Sequence, residues 1–331
     1  MRDRPQSLAS ALPHTMAIII VTFQNAAGIA ACLHSLNRAF SERRLHLFLI
    51  DNSSADGTRE VIAQTRQALS SARFHIEVIS NRENVGFTRA VNQGLERYVA
   101  MAGHANVPLL FLNPDTILPP QALSTLLEKL YALPQTGVMA PQLIHPEGRV
   151  QPSCRRFPTH WDLLCELTGL SRLLPHSPRF NRWKMGNFDH RTAAEVEQPQ
   201  GAVLLARPEV IQQVGLWDER FPIFFSDVDW CKRVWERGWK IRFEPSVQIV
   251  HAQGVSVRQV RAAAIWSSHV SFWRYLRKYK NSWWENWVNL ILGPLLLLAA
   301  GVRMAPYLIN VLIGNAAQKK VREKSSAEFR A

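Results

Sequence analysis

The chain has 331 residues, 47% of them hydrophobic, which suffices for one large domain or two modest ones around a packed core. Lys and Arg outnumber Asp and Glu by 39 to 26, and the formal charge of +13 calls for an anionic partner without naming its class. The four cysteines (Cys32, Cys154, Cys165, Cys231) are widely spaced with no Cys-x-x-Cys pair, which argues against a disulfide or zinc framework and suits a reducing compartment.

In chain order, residues 1–15 read as a disordered extension. The apolar run Met16–Val21 is too short for a signal peptide, so retention on the cytoplasmic side is expected. Strand candidates are 16–23, 45–50, 74–79 and 107–112, separated by helix-length segments near 26–40, 57–71, 86–101 and 120–132. This alternation predicts an α/β fold with a mostly parallel, doubly wound sheet covered on both faces, whose ligands bind beyond the carboxyl ends of the strands. The stretch 146–200, rich in Pro, Arg and aromatics, reads as an insertion or lid with helix around Trp161 to Leu174. Order resumes at Gly201–Ala206, with a short helix near 208–214 and the aromatic run Phe221–Phe225. A helix from Asp227 to Arg237 follows, then strands at Ile241–Phe243 and Val247–Val250.

Four strand exits carry chemistry-bearing residues. Asp51-Asn52-Ser53-Ser54-Ala55-Asp56-Gly57 could accept hydrogen bonds from a base or ribose, or Ser54 and Asp56 could simply cap the next helix. In Asn84-Val-Gly86-Phe-Thr-Arg89-Ala-Val-Asn92-Gln-Gly94, Gly86 permits close backbone approach, and Arg89 and Asn92 lie one helical turn apart. Asn113-Pro-Asp115 offers an oxygen ligand to a divalent cation, although by itself it reads more readily as a turn. Ser226-Asp227-Val-Asp229-Trp230 opens a helix, where an acid can be a cap or a general base. His251, with Gly254 and Ser256 nearby, completes the set as a possible metal or diphosphate contact.

The order and spacing of these segments, together with Gly201-Ala and Gly215-Leu-Trp-Asp-Glu219, resemble the family-2 inverting glycosyltransferases of the GT-A fold, in particular their bacterial rhamnosyltransferase-like branch, over roughly residues 16–280. The resemblance implies a catalytic domain over 16–257, with 146–200 as its acceptor-side insertion or lid. It implies a donor site formed by Asp51, Asn52, Ser53, Asp56, Asn84, Gly86, Arg89, Asn92 and Asn113. Asp115 and His251 would hold Mg²⁺ or Mn²⁺ on the donor diphosphate, Asp227 would be the base, and Asp229 and Trp230 would face the acceptor or cap the helix. Asn113 stands where the family pattern has its first acid, and Ser226 where many relatives have Glu.

Residues 258–331 form a basic, apolar tail. From Arg258 onward, twelve Lys and Arg face Glu285, Glu323 and Glu328, a net charge of +9. The apolar run Val288–Val302 is interrupted at Pro294 and ended by Arg303, which favours interfacial or re-entrant helices on an anionic membrane over a nucleic-acid surface; packing on the catalytic domain or at a homodimer interface is the alternative. The expected partners are therefore a nucleotide-sugar donor (dTDP-rhamnose or a UDP-sugar), a lipid-linked glycan acceptor and the cytoplasmic face of the plasma membrane. A sugar nucleotidyltransferase would need a Gly-rich basic loop where Thr22-Phe-Gln-Asn25 stands, and a non-catalytic membrane-binding protein would not need Asp115, Asp227 and His251.

Overall fold

The computed structural model describes residues 12–40, 43–103, 106–252, 261–280 and 282–328, with the side chains of the last helix described as far as 306. Gly254, Ser256 and the first eleven residues of the N-terminal extension lie outside the described residues. The chain divides into two compact units, Met1–Pro222 with Ser226–Ser256 and Ile223–Phe225 with Val257–Ala331.

The first unit is built on a mixed sheet of mostly parallel strands. In sequence these are β1 (Thr15–Thr22), β2 (Arg44–Asp51), β3 (Phe74–Ser80), β4 (Leu109–Leu112), β5 (Thr116–Ile117) and β6 (Thr136–Ile144), followed after the small β7 (Cys154–Arg155) by β8 (Ala194–Glu195), β9 (Gln198–Pro199), β10 (Val203–Ala206) and β11 (Lys240–His251). The order across the main sheet is β3-β2-β1-β4-β10-β6-β11-β5, with β8 on β11; β7 and β9 pair separately. Strands β1 to β4 are mutually parallel, β10 runs antiparallel between β4 and β6, and β11 is again parallel to β6.

Helices cover both faces, as the long apolar runs of β1 and β2 require. On one side lie α1 (Ile29–Ala39), α2 (Thr58–Leu69) and α4 (Ala122–Tyr131), whose Leu33, Ile62 and Leu126 pack against Ile18, Ile20 and Leu49. On the other lie α3 (Phe87–Ala102), α7 (Pro208–Val214) and α8 (Ser226–Glu236), against Ile19, Phe48 and Phe111. In the chain, α5 (His160–Leu167) and α6 (Leu170–Leu173) come between α4 and α7, in the aromatic-rich insertion. At Gly94 of α3 a Cβ would stand 2.9 Å from Ile19 Cγ2, so this helix reaches the sheet only because the position has no side chain.

Three elements differ from the sequence expectation. β6 is almost wholly buried, although Gly137 and Pro141 interrupt its strand pattern in the sequence. β11 is one strand rather than two, since the irregularity between Glu244 and Gln248 is absorbed as a shift in its register on β6. The inner edge of the expected insertion also supplies β7, β9 and the isolated bridge Ile144–Val150.

The second unit pairs α9 (Arg261–Lys278) with α10 (Trp284–Glu328), a single helix that continues through Pro294 and Pro306, where the sequence suggested a break. Pro294 has no N–H for the carbonyl four residues earlier, and nearby the Trp273 indole donates to the Asn289 carbonyl at 2.9 Å. Leu296 and Ala300 are buried, whereas Trp287, Leu290, Ile291, Leu298 and Val302 stay exposed. The segment Trp284–Pro306 is long and apolar enough to cross a membrane by length and composition.

Candidate active site

The exits of β1 to β4 form one edge. At the end of β2, Asp51 is fully buried: its Oδ2 accepts from Arg59 Nε at 2.6 Å, and the Ser54 N–H donates to its Oδ1 at 3.2 Å. Asn52 ties this loop to the next, donating to Asn84 Oδ1 (2.9 Å) and accepting from Asn81 Nδ2 and the Val85 N–H. Ser53 Oγ donates to the Arg82 carbonyl (3.2 Å) at a backbone φ of 70°. Asp56 accepts from the Thr58 N–H and hydroxyl on Oδ1 and from the Ala26 N–H on Oδ2, lacing the β1 and β2 exits together. These donors hold its carboxyl below the ordinary range against a burial effect that raises it.

Gly86, at φ 87°, opens α3, whose first turn is satisfied from outside: the Thr88 N–H and hydroxyl donate to the Pro222 and Phe221 carbonyls. Arg89 is exposed on that helix. Asn92 is buried and works as a joint. Its Nδ2 donates to the Trp217 carbonyl (2.9 Å) and Glu219 Oε1 (3.1 Å), and its Oδ1 accepts from the Trp217 N–H. Two motifs that lie far apart in the chain are thus one structural unit.

The β4 exit and the end of β11 converge. Asp115 is followed by β5, which pairs antiparallel with β11 so that His251 lies opposite Thr116, and the Ala252 N–H donates to the Asp115 carbonyl. This pairing brings His251 Nε2 to 3.4 Å from Asp115 Oδ1 and 3.3 Å from Asn113 Nδ2. Gln151 sets the ring. Its Nε2 donates to the His251 carbonyl at 2.6 Å, which turns its Oε1 towards His251 Nδ1 at 3.0 Å. With the Nδ1 proton committed there, the lone pair of Nε2 faces Asp115. Asp115 Oδ1 and His251 Nε2 thus present one oxygen and one nitrogen donor side by side at the strand exit, a donor set that fits a divalent metal. No sequence motif marks Gln151; only the turn through the Ile144–Val150 bridge places it.

Asp227 opens α8 on the neighbouring side. Its Oδ2 accepts from the Gly201 N–H (3.0 Å) and Gln198 Nε2 (3.3 Å), and its Oδ1 from the Val228 N–H (2.9 Å). Burial pushes this carboxyl up, opposed by those backbone donors and by the Arg155 charge on β7. A Cβ at Gly201 would come within 2.9 Å of Asp227 Cβ, so the approach requires glycine. The next residue, Ala202, accepts from the Asn113 N–H at 2.8 Å. The Gly201–Ala202 backbone therefore bridges the Asn113–Asp115 turn and the Asp227 carboxylate.

Asp229 and Trp230 have other surroundings. Asp229 is 0% exposed and accepts from Arg233 Nε at 2.9 Å, while the same guanidinium donates to the Val214 and Leu216 carbonyls. Trp230 is buried between Phe111 and Trp217. All four cysteines are free and buried, and burial pushes the Cys32 thiol up to about 12.

Residues 17–189 match the family described as glycosyl transferase family 2. A Mycobacterium tuberculosis protein named N-acetylglucosaminyl-diphospho-decaprenol L-rhamnosyltransferase is 28% identical over 280 residues, covering 82% of this chain and 86% of the relative. Among solved structures, a mannosyltransferase from Pyrobaculum calidifontis in complex with GDP-Man and Mn²⁺ superposes with a TM-score of 0.54 at 16% identity, covering 92% of this chain and 80% of that one. GalNAc-T7 with UDP, GalNAc and Mn²⁺ gives 0.51 at 16% identity, over 72% of this chain and 44% of that one. The matched residues hold every strand exit from β1 to β4, and the chain belongs to glycosyl transferase family 2, with a GT-A fold and the activity of a glycosyltransferase.

Proposed function

We propose that this enzyme moves a sugar, rhamnose first among candidates, from dTDP-rhamnose or a UDP-sugar to a hydroxyl of a lipid-linked cell-envelope glycan, with inversion at the anomeric carbon. The observation that carries the reading is the convergence of Asp115, His251 and Asn113 on one side of the Gly201–Ala202 backbone, with Asp227 on the other. The rhamnosyl donor and the lipid-linked acceptor are supported by the name of the mycobacterial relative.

The Asp51–Asn84 network shapes the nucleoside side of the donor site, with Asn52, Ser53, Asp56, Gly86, Arg89 and Asn92 as its frame or its contacts. Asp115 and His251 would hold Mg²⁺ or Mn²⁺, which when bound offsets the charge that develops on the leaving diphosphate. Asp227 takes the proton of the acceptor hydroxyl. Its Oδ1 has one donor against two on Oδ2 and is the freer oxygen for that proton. Burial that favours the neutral acid also strengthens the carboxylate as a base. Asp229 is committed to Arg233, which leaves Asp227 as the stronger choice.

The segment 146–200 serves as acceptor-side insertion or lid, with Asp229 and Trp230 supporting that side from the core. The second unit attaches the enzyme to an anionic membrane at its cytoplasmic face, peripherally or monotopically, through the exposed apolar side of α10. A homodimer through the same side is the competing use of that surface. The test is a panel of nucleotide sugars with Mg²⁺ or Mn²⁺, scored for release of nucleoside diphosphate in the presence of a polyprenyl-diphosphate-linked acceptor. Metal-dependent release from dTDP-rhamnose that needs the acceptor is expected, and no release from any activated sugar would refute the reading.

A further inference from the structure

On the β2–β3 side of the sheet, away from the strand exits, three potential ligands meet. His46 on β2 and His75 on β3 are register partners, and Glu77 follows two residues later on the same face of β3. The two imidazole rings lie 4.5 Å apart, and one ligand atom from each of the three residues falls within 4.8 Å of the others. His46 is five residues before Asp51, roughly 16 Å along the strand at about 3.3 Å per residue, so the cluster is separate from the donor site.

The bonding of these groups is incomplete. His46 Nε2 is buried without a hydrogen-bond partner. It faces Glu77 Oε2 at 3.8 Å, too long for a hydrogen bond, while Glu77 Oε1 is 3.5 Å from Arg97 Nε. In a tetrahedral site with zinc bonds of about 2.0–2.2 Å, adjacent ligand atoms lie roughly 3.3–3.6 Å apart. The His46–Glu77 separation exceeds that range by a few tenths of an ångström, within reach of a small side-chain adjustment.

We propose that His46, His75 and Glu77 form a second metal site, selective for a borderline-soft divalent cation such as Zn²⁺ and completed by water, that clips the edge strand β3 to β2. Two imidazoles and one carboxylate suit zinc better than Mg²⁺, which prefers an all-oxygen shell. The clip strengthens an edge strand, where pairing is satisfied on one side only.

The full-length, tag-free protein is titrated with Co²⁺ as a spectroscopic stand-in for Zn²⁺, in excess Mg²⁺, following visible absorption and thermal melting. One equivalent of Co²⁺ with tetrahedral-type absorption is expected, displaced by Zn²⁺, and Zn²⁺ raises the melting temperature. Asp115→Asn keeps this signal. His75→Ala and Glu77→Gln, both at solvent-accessible positions, lose it or weaken binding at least tenfold and leave sugar transfer unchanged. Absorption that survives in the His75→Ala/Glu77→Gln double variant, absorption lost in Asp115→Asn alone, or the absence of a bound equivalent overturns the proposal.

Discussion

At Asp227, the burial that lifts the carboxyl above its ordinary value works against the Gly201 and Val228 N–H donors that stabilise its charge. Asp227→Asn should lower kcat by about 10²–10⁴-fold, the usual range for loss of a general base, while donor affinity measured by calorimetry changes less than twofold. The acid limb of kcat/KM should lie above the ordinary carboxylate range and vanish in that variant. The sign for stability follows from the same shift. Between the ordinary and the raised value the native state binds more protons than the unfolded state, so stability falls as pH rises through that window. The Asn variant should lack this slope in denaturant titrations across the same pH range. Gln151 acts through His251: Gln151→Leu should raise the Mn²⁺ concentration for half-maximal activity 10–100-fold, and a unchanged metal requirement would remove its assigned role.

Asp229 and Arg233 belong to the scale of elements, because their ion pair fastens α8 to the loop between α7 and Trp217. Asp229→Asn leaves Arg233 without its buried counter-charge and should cost about 3 kcal/mol in unfolding free energy, while the folded fraction keeps its turnover. Loss of turnover in fully folded protein would instead favour Asp229 as the base. The elements that the sequence announced were those with uninterrupted local patterns, such as Met16–Val21 and Leu45–Ile50, each followed by an amphipathic helix. Strand β6 escaped because Gly137 and Pro141 break its pattern, and it is held in the sheet by neighbours distant in sequence. The antiparallel direction of β10 was equally hidden, since pairing direction depends on partners and not on the residues of the strand itself. In the site, the ordered Asp and Asn motifs were legible, while Arg59, Gln151 and the bridging role of Gly201 were not: each depends on a contact that only the fold creates.

For the whole molecule, the second unit presents Trp287, Leu290, Ile291, Leu298 and Val302 on one uncovered side. Flotation with liposomes containing anionic lipid should recover the enzyme, and the Ile291→Glu/Leu298→Glu variant should float at least fivefold less. Its turnover on a water-soluble acceptor analogue should be retained. The length of α10 has a further consequence. Its 45 residues span about 68 Å at 1.5 Å per residue, more than twice a hydrocarbon layer of about 30 Å. Arg274, Arg277, Lys278 and Lys280 precede the apolar stretch, and Lys319, Lys320, Arg322 and Lys324 follow it. Insertion across the bilayer would send one basic cluster to the far side, against the tendency of such residues to remain in the cytoplasm. Like-charged flanks thus give the helix no preferred polarity of insertion. A placement parallel to one leaflet would satisfy both, and raising the salt concentration should then loosen attachment without extraction by detergent.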